Sequence, residues 1–384
     1  MPSKRIAIFS AQFLPNIGGV EKYTDSLARE LKRLGYEVVI VTTNASSSVS
    51  NESLTDGIEV VRLPCFPLIG GRMPIPRKNA EFKRLWRMVE SYGYHGVLVN
   101  TRFYFHSLLG LRLAKRQGFR GELCEHGSAY LTFGNALIDR FVIVYEHLIT
   151  ALVKRYKPDF YAVSSKGLKW LSTFNIEGRG VLSNAIDADT FCSLSSGRSF
   201  RAEYGIASDV LIVSFIGRFA PEKGVDALIR AMRILETRDV SVRLLMAGVG
   251  PLENHIREAE LSNVTLVGKL DAADVAALMK ESDLFCLPTR SEGFSTSLLE
   301  ASAVGTPALI TDVGGVAEMI PDASFGIVIE DARPETIATA IENAAMSRDD
   351  LVQQGAKCYQ RVRERYSWER TATDVLVALG EARR

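Results

Sequence analysis

The chain has 384 residues, of which 47% are hydrophobic and 24% are charged. This length exceeds what one hydrophobic core organises and predicts two domains. No apolar run approaches the roughly 18 residues that cross a bilayer, and the five cysteines form no CxxC pair, which excludes a transmembrane protein, a zinc site and a disulfide framework. We therefore expect a cytoplasmic globular protein whose start, Met1–Phe9, is a first strand and not a signal peptide.

The net charge of +1 conceals opposite charges in the two halves. Residues 1–200 have a net charge of +9 and the remainder has −8. A basic surface with interleaved aromatic residues suits anionic membrane headgroups or nucleic acid, although a solvated helix face has the same composition. The basic residues form two clusters, the first containing Trp86: Arg72, Arg77, Lys78, Lys83, Arg84 and Arg87, then Arg112, Lys115, Arg116 and Arg120.

The first half alternates apolar strands with amphipathic helices. Lys4–Ser10 predicts a strand, and Val20, Tyr23 and Leu27 mark one face of the helix that follows. This βαβ opening predicts parallel strands. The remaining predictions are strands at 38–42, 58–63, 96–100, 122–125 and 160–164, helices ending near 91 and covering 106–117, 136–156 and 166–173, and irregular segments at 44–57 and 64–78.

The second half repeats the alternation after a polar connection at 187–209. Two such series predict an α/β protein with two Rossmann-like, doubly wound domains whose ligand edges face each other across a cleft. The predicted strands are 210–216, 242–247, 264–267, 283–288, 307–311 and 325–329, and the predicted helices include 225–236, one that ends near 365, and 367–384.

Unusual residues follow the carboxyl ends of the predicted strands, where open parallel sheets bind ligands. Gly18-Gly19 lies at a helix N-terminus, whose amides favour a phosphate. Arg218 offers a planar guanidinium group with several N–H donors, and Lys223 offers a compact ammonium charge. Together they suit a diphosphate. Glu292 and Glu300 flank a strand-to-helix turn that Ser295 or Thr296 can cap, and their separation suits a ligand with two polar ends. The full set is Gly18-Gly19, His126, Asn184, Arg218, Gly248, Gly268, Glu292 and Asp312.

One metal signature occurs in the chain. Asp187-Ala188-Asp189 spells the DxD motif of metal–nucleotide sites, but it does not follow an apolar strand. We therefore expect a helix cap or a loop there. The Arg218 and Lys223 pair makes a metal unnecessary for the charge of a diphosphate, so we expect neither a metal nor a cofactor.

Three segments resemble one family. They are Phe13-Leu14-Pro15…Gly18-Gly19-Val20-Glu21, Gly217-Arg218…Lys223-Gly224, and the E-x7-E pair of Glu292 and Glu300. Over nearly the whole chain the sequence resembles the retaining GT-B glycosyltransferases of family 4, the "glycosyl transferases group 1" type. The resemblance implies that the C-terminal helix, starting near Ser367-Trp368, crosses back to the first domain. It gives an acceptor-binding domain of residues 1–187 plus 367–384 and a nucleotide-sugar domain of residues 188–366.

The resemblance also implies roles for particular residues. Arg218 and Lys223 would hold the donor diphosphate with the amide of Gly19, Glu292 would contact the sugar, and Glu300 the ribose. This chain has Ser295-Thr296 where many relatives carry Gly and a hydrophobic residue. The resemblance therefore does not identify the donor sugar. The predicted catalytic residues are His126, Arg218, Lys223 and Glu292, and the predicted donor-binding residues are Gly18, Gly19, Arg218, Lys223, Gly248, Lys269, Glu292, Phe294, Ser295, Thr296 and Glu300.

We expect a metal-independent, retaining hexosyltransferase that moves a sugar from a UDP- or GDP-sugar to a lipid-linked or cell-surface glycan. Such an enzyme would serve polysaccharide or lipopolysaccharide synthesis at the inner face of the cell membrane, held there by the basic N-terminal domain, without nucleic acid as a partner. Three alternatives stay open at this point: a soluble small-molecule acceptor, a nucleotide-sugar epimerase, and a non-catalytic nucleotide-sugar binder of the same architecture.

Overall fold

The protein forms two compact units in a computed structural model that describes residues 4–16, 18–45, 50–69, 71, 73–132 and 136–381. One unit consists of Met1–Asn184 with Trp368–Arg384, and the other of Ala185–Ser367. Each unit is built on one largely parallel sheet.

The strands and helices of the first unit follow the apolar periodicity of its sequence. The strands are β1 (Arg5–Phe9), β2 (Glu37–Asn44), β3 (Glu52–Thr55), β4 (Ile58–Leu68), β5 (Met73–Pro76), β6 (Gly96–Asn100), β7 (Glu122–Glu125), β8 (Asp159–Ala162) and β9 (Gly180–Val181). The helices before residue 184 are α1 (Gly19–Arg33), α2 (Ala80–Ser91), α3 (Phe105–Arg116), α4 (Ala136–Lys154) and α5 (Ser165–Leu171).

The first sheet has the strand order β3-β4-β2-β1-β6-β7-β8-β9, with β5 also paired to β4. Among the described residues of this unit, β3 and β5 are the strands that pair antiparallel, both with β4. Without them, the strands from β4 to β8 follow the order 3-2-1-4-5-6 of the doubly wound fold. The order reverses between β1 and β6, which is where ligands bind in such sheets.

The second unit has the same strand order. Its sheet runs β12-β11-β10-β13-β14-β15, all pairs are parallel, and the order reverses between β10 and β13. The strands are β10 (Leu211–Ile216), β11 (Val242–Ala247), β12 (Val264–Gly268), β13 (Leu284–Leu287), β14 (Ala308–Thr311) and β15 (Ile327–Ile329). The helices are α6 (Ala188–Ser193), α7 (Phe200–Glu203), α8 (Val225–Thr237), α9 (Glu253–Glu258), α10 (Ala272–Glu281), α11 (Thr296–Ala303), α12 (Val316–Met319), α13 (Pro334–Met346) and α14 (Arg348–Arg365).

The last helix, α15 (Trp368–Ala378), belongs to the first unit. Helix α1 buries Tyr23, Leu27 and Leu31 on one face, as its period predicts. The Trp368 ring meets the Tyr23 ring edge-on at 5.5 Å, so α15 adds an aromatic contact to α1. The prediction of two Rossmann-like domains, with the C-terminal helix on the first, is confirmed.

Several local predictions are wrong. Segments 44–57 and 64–78 were expected to be irregular, but they contain β3 and β5, which pair with β4 at the edge of the sheet. Prolines are tolerated in β5 because an edge strand need not donate every ladder hydrogen bond. The single helix expected before residue 365 is two helices that meet at Ser347. Trp86 is buried against Phe82 and Phe9, so it belongs to the core and not to a membrane-facing cluster.

Candidate functional site

Two loops and a strand end are hydrogen-bonded together at the carboxyl edge of the second sheet. The loops follow β10 and β13, and the strand end is that of β14. The Thr289 hydroxyl donates to the Glu222 carbonyl at 3.0 Å, and the Arg290 N–H donates to the same oxygen at 2.8 Å. The Thr311 hydroxyl in turn donates to the Thr289 carbonyl. These bonds fix the loops around the point where the strand order reverses.

Glycine allows these loops to approach closely at two positions. Gly224 has a φ of 73°, and a Cβ there would overlap the carbonyl of Pro288 in the neighbouring loop. Gly248 has a φ of 146°, and a Cβ there would overlap the carbonyl of Gly217. A larger residue at either position would strain the backbone and separate the loops. Gly248, predicted to bind the donor, therefore has a structural role in this edge.

Lys223 and Glu292 form an ion pair across this edge. Lys223 precedes α8 in the loop after β10, and Glu292 lies in the loop after β13. Their side chains are 24% and 15% exposed, so the pair is partly shielded from water but reachable by a ligand. Arg218 pairs with Glu222 in the same loop and is more exposed. The structure thus brings two residues that are 69 positions apart to the reversal point.

The loop after β13 ends in a capped helix. The Ser295 hydroxyl accepts a hydrogen bond from the Leu298 N–H at 3.2 Å, and α11 begins at Thr296, which confirms the predicted cap. The first amides of α11 therefore point toward the carboxyl edge, where they favour an anion. The Phe294 ring packs at 5.3 Å from the Tyr366 ring, so its side chain is structural. Glu300 lies in the second turn of α11 and is partly exposed.

Lys269 lies further along the same edge. It directly follows β12, and the Gly248 N–H donates to the carbonyl of Gly268 at 2.9 Å. Strand β12 is two strands from β10, and neighbouring strands are roughly 4.8 Å apart. The predicted second-unit residues thus form a row from β12 to β13, with Lys269 at one end and Glu292 at the other.

The first unit places His126 at the end of β7. Its Nε2 lies 3.0 Å from Asn100 Oδ1, and Asn100 Nδ2 donates to the Thr24 hydroxyl at 2.8 Å. That hydroxyl donates to the Val20 carbonyl at 2.8 Å, which sets the direction of the whole chain of bonds. His126 Nε2 therefore carries the proton, and Nδ1 is left as an acceptor. The Tyr23 ring packs edge-on at 4.7 Å and fixes the imidazole plane.

Gly18 and Gly19 begin α1, as predicted, but the helix N-terminus has a neighbouring carboxylate. Gly18 is the N-cap, and a Cβ on it would overlap the Glu21 carboxylate. Burial raises the pKa of Glu21, which favours its neutral form. A phosphate at these amides would have to displace the Glu21 side chain, so the pair is a weaker anion site than the sequence alone indicates.

The motif residues Asp187 and Asp189 have structural partners. The Asp187 carboxylate accepts from the Thr190 N–H at 2.9 Å and caps α6, as predicted. Asp189 forms an ion pair with Arg363 at 3.1 Å. In the part of the chain that the structure describes, no three His, Cys, Asp or Glu side chains are grouped so that they could hold a metal ion.

Both units match known glycosyltransferase domains. Residues 197–363 match the family described as "Glycosyl transferases group 1", and residues 18–156 match the "Glycosyl transferase 4-like domain". The chain is 24% identical to an uncharacterized glycosyltransferase of Methanocaldococcus jannaschii over 96% of each chain. Its structure resembles that of Anabaena HepE in complex with UDP-glucose, with a TM-score of 0.73 and 17% identity over 98% of this chain and 100% of that one. This chain is a glycosyltransferase of the GT-B fold.

A further relative of this glycosyltransferase has a named activity. It is a phosphatidylinositol N-acetylglucosaminyltransferase subunit of Arabidopsis thaliana, 24% identical over 97% of this chain and 80% of that one. The three whole-protein matches span both units, whereas each of the two family models matches one unit, so together the likeness covers the two sheets and the loops described above.

The glycosyltransferase also has a buried charge cluster that the sequence analysis missed. Arg102 is 1% exposed and contacts Glu146 at 2.6 Å and Glu125 at 3.3 Å, with the Phe174 ring 3.8 Å from its guanidinium carbon. The Glu125 carboxylate accepts from the N–H groups of His126 and Gly127, both at 3.1 Å. The cluster therefore holds the backbone of the His126 loop. Its signal in the sequence was a charged residue at the end of each of two strands, with Glu125 the last residue of β7 and Arg102 two residues beyond β6.

We expect His126 to stay neutral at physiological pH. Burial lowers its pKa to about 3, well below the ordinary value of 6.5. Between pH 3 and pH 6.5 the unfolded chain therefore binds more protons at this residue than the folded chain does. The contribution of His126 to the free energy of unfolding is fully present above pH 6.5 and is lost as the pH falls toward 3. Denaturant unfolding from pH 7 to 4 should show that loss, and it should be smaller in His126→Asn. An NMR titration of His126 with a midpoint near 6.5 would contradict this assignment.

Proposed function

We propose that this glycosyltransferase takes its sugar from a nucleoside diphosphate sugar bound along the carboxyl edge of the second sheet. The observation that carries the proposal is the Lys223–Glu292 pair at the reversal point between β10 and β13. A lysine and a carboxylate there match the two ends of such a ligand, one anionic and one rich in hydroxyl groups. The similar fold of HepE, solved with UDP-glucose, supports the same ligand class.

In the proposed complex, the diphosphate competes with Glu292 for the Lys223 ammonium group. Lys223, Arg218 and the first amides of α11 then face the phosphate oxygens, and the Glu292 oxygens accept hydrogen bonds from the sugar hydroxyls. Glu300, a further turn along α11, accepts from the ribose. Lys269 and Gly248 lie on the side of the base. Because the ion pair exists before the ligand binds, both side chains are already held near their working positions.

The proposed reaction proceeds with retention and without a metal. The bond from the anomeric carbon to the phosphate oxygen breaks, and negative charge develops on the leaving diphosphate. Lys223, Arg218 and the α11 N-terminus stabilise that charge. The acceptor oxygen forms the new bond from the same face, and its proton passes to the leaving phosphate oxygen. In this proposal His126 stays neutral and does not act as a base.

For the acceptor, we propose a lipid-linked or cell-surface glycan precursor at the cytoplasmic face of a membrane. The name of the Arabidopsis relative, which refers to phosphatidylinositol, supports a lipid-linked acceptor. No helix among the described residues is long and apolar enough to cross a membrane, so the proposed association is with the membrane surface.

A thermal-shift screen against UDP, GDP and ADP sugars tests the donor. One base should stand out, because a ligand at 100 times its Kd adds about 2.7 kcal/mol to the free energy of unfolding. The preferred donor is then incubated with and without an acceptor lipid extract. Sugar transfer that depends on the extract supports the proposal, whereas isomerised donor formed without any acceptor would identify an epimerase. No shift with any of these donors would contradict the donor site.

A further inference from the structure

Helix α4 is apolar on the side that faces solvent. Phe141, Val144 and Leu148 follow one another at helical spacing, and Phe141 is 77% and Leu148 64% exposed. The opposite face is also apolar, with Ile149 and Val153 buried. A surface helix of a globular protein normally carries polar residues on its outer face. The exposed stripe is therefore not explained by packing within the first unit.

The hairpin of β4 and β5 extends this stripe. Phe66, Leu68 and Ile69 at the end of β4 are about half exposed. The hairpin and the helix meet at a cavity of about 250 Å³, to which Ile69 and Phe141 both contribute. We call Phe66, Leu68, Ile69, Phe141, Val144 and Leu148 the apolar face. Contiguous exposed apolar residues from two elements mark an interaction surface.

Basic residues border the apolar face. The guanidinium of Arg77 lies 5.5 Å from the Phe66 ring, and Lys78 and Arg140 are exposed nearby in the chain. Residues 64–78 contain no acidic side chain. On α4, Asp139 is hydrogen-bonded to the Thr132 hydroxyl, and the remaining acidic residue is buried with Arg102. Exposed apolar side chains with Lys and Arg beside them are the combination that anionic bilayers bind.

Apart from Arg77 and Lys78, the basic clusters predicted from the sequence are less suited to that role. Arg84 pairs with Glu52 and Glu81, and Arg116 pairs with Glu90. Arg120 lies 3.5 Å from Asp159, while Arg72 lies outside the described residues. These ion pairs neutralise part of the charge of α2 and α3. The apolar face is therefore the stronger candidate for a membrane contact.

We propose that the apolar face inserts into the surface of a bilayer that contains anionic phospholipid. The inference rests on the proposed lipid-linked or membrane-associated acceptor, which would then lie at the membrane where the enzyme docks. A second copy of the chain fits the face less well, because a two-fold contact would place the same basic border against itself. A bilayer offers apolar chains below and negative headgroups around them, which complements both features.

Vesicle flotation tests the proposal, with vesicles of phosphatidylcholine plus phosphatidylglycerol and of phosphatidylcholine alone. The wild type should float with the anionic vesicles and keep part of its binding at about 0.5 M salt, where screening removes most of the surface electrostatic attraction. Phe141→Ser/Leu148→Ser should weaken binding at least about tenfold, because each side chain loses its transfer into the lipid. The matched control is Met346→Ser/Val352→Ser, two residues of the second unit that are each 73% exposed, and it should bind like the wild type.

Three results would contradict the membrane contact. Wild-type protein that stays with neither vesicle, or equal binding by both double variants, would overturn the inference. So would a wild-type dimer in light-scattering chromatography that Phe141→Ser/Leu148→Ser dissociates. The donor-induced thermal shift is measured on the same samples. A normal donor-induced shift without flotation would contradict the membrane contact and support the proposed donor site. Flotation without any donor-induced shift would support the membrane contact and contradict the donor site.

Discussion

Replacing Lys223 with alanine is expected to lower kcat/KM for sugar transfer by about 100-fold or more. The ammonium group is proposed to face the charge that develops on the leaving diphosphate, and the substitution leaves no other lysine in that loop. It also removes the cation that pairs with Glu292, so a carboxylate would confront an anionic donor. Both effects act in the same direction. Glu292→Gln, which keeps the shape and removes the charge, should lower transfer less severely.

The measurement is initial-rate transfer of the preferred donor sugar, with Arg230→Ala as the matched control. Arg230 is a cation on the adjacent helix α8, paired with Asp226 and largely exposed. Its loss should leave the rate within about twofold of the wild type, because exposed ion pairs contribute little. Near wild-type turnover in both Lys223→Ala and Glu292→Gln would contradict the assignment of this edge as the donor site.

Replacing Arg102 with methionine is expected to lower the free energy of unfolding by about 3–5 kcal/mol. Methionine fills much of the same volume, but Glu125 and Glu146 would remain as two uncompensated carboxylates that are each 1% exposed. Burial raises the pKa of Glu146, and loss of the Arg102 charge raises it further, so the loss of stability should shrink as the pH falls toward 4. Transfer should also fall, because Glu125 positions the His126 backbone.

Denaturant unfolding measures this effect, and Arg116→Met is its control in the same unit. Arg116 pairs with Glu90 on the surface, with side chains 50% and 21% exposed, so its loss should cost no more than about 1 kcal/mol. The triple variant Arg102→Met/Glu125→Gln/Glu146→Gln should recover part of the stability. Equal losses in the Arg102 and Arg116 variants would show that burial of the cluster does not determine its energy.

The fold was predictable because its strong signals are local. Helix α1 has its apolar residues at helical spacing, and β1, β10 and β13 are buried strands made mostly of apolar residues. Strands β3 and β5 were missed because they are edge strands: one is mostly polar and the other carries two prolines. Their pairing with β4 depends on contacts that local sequence does not encode. Trp86 was misread because its basic neighbours on α2 obscured the apolar spacing of Phe82, Trp86 and Val89.

The candidate site was predictable only as residue types at strand ends. The parallel order and its reversal place Lys223 near Glu292, and the rule for open sheets anticipates that neighbourhood without giving the ion pair itself. The tautomer of His126 depends on Asn100 and Thr24, which come from different elements. The Arg102 cluster likewise joins three separate segments of the chain. Such arrangements follow from the tertiary structure, so spacing along the sequence cannot reveal them.

The edge between β10 and β13 is proposed to bind the diphosphate of a nucleotide sugar. Calorimetric titration of the nucleoside diphosphate of the preferred donor tests it most directly, using the wild type, Lys223→Ala and Arg230→Ala. We expect tight binding by the wild type and by Arg230→Ala, and affinity at least about tenfold lower in Lys223→Ala, since a charge-assisted hydrogen bond of about 1.5–3 kcal/mol is lost. Equal affinity of all three proteins would contradict it.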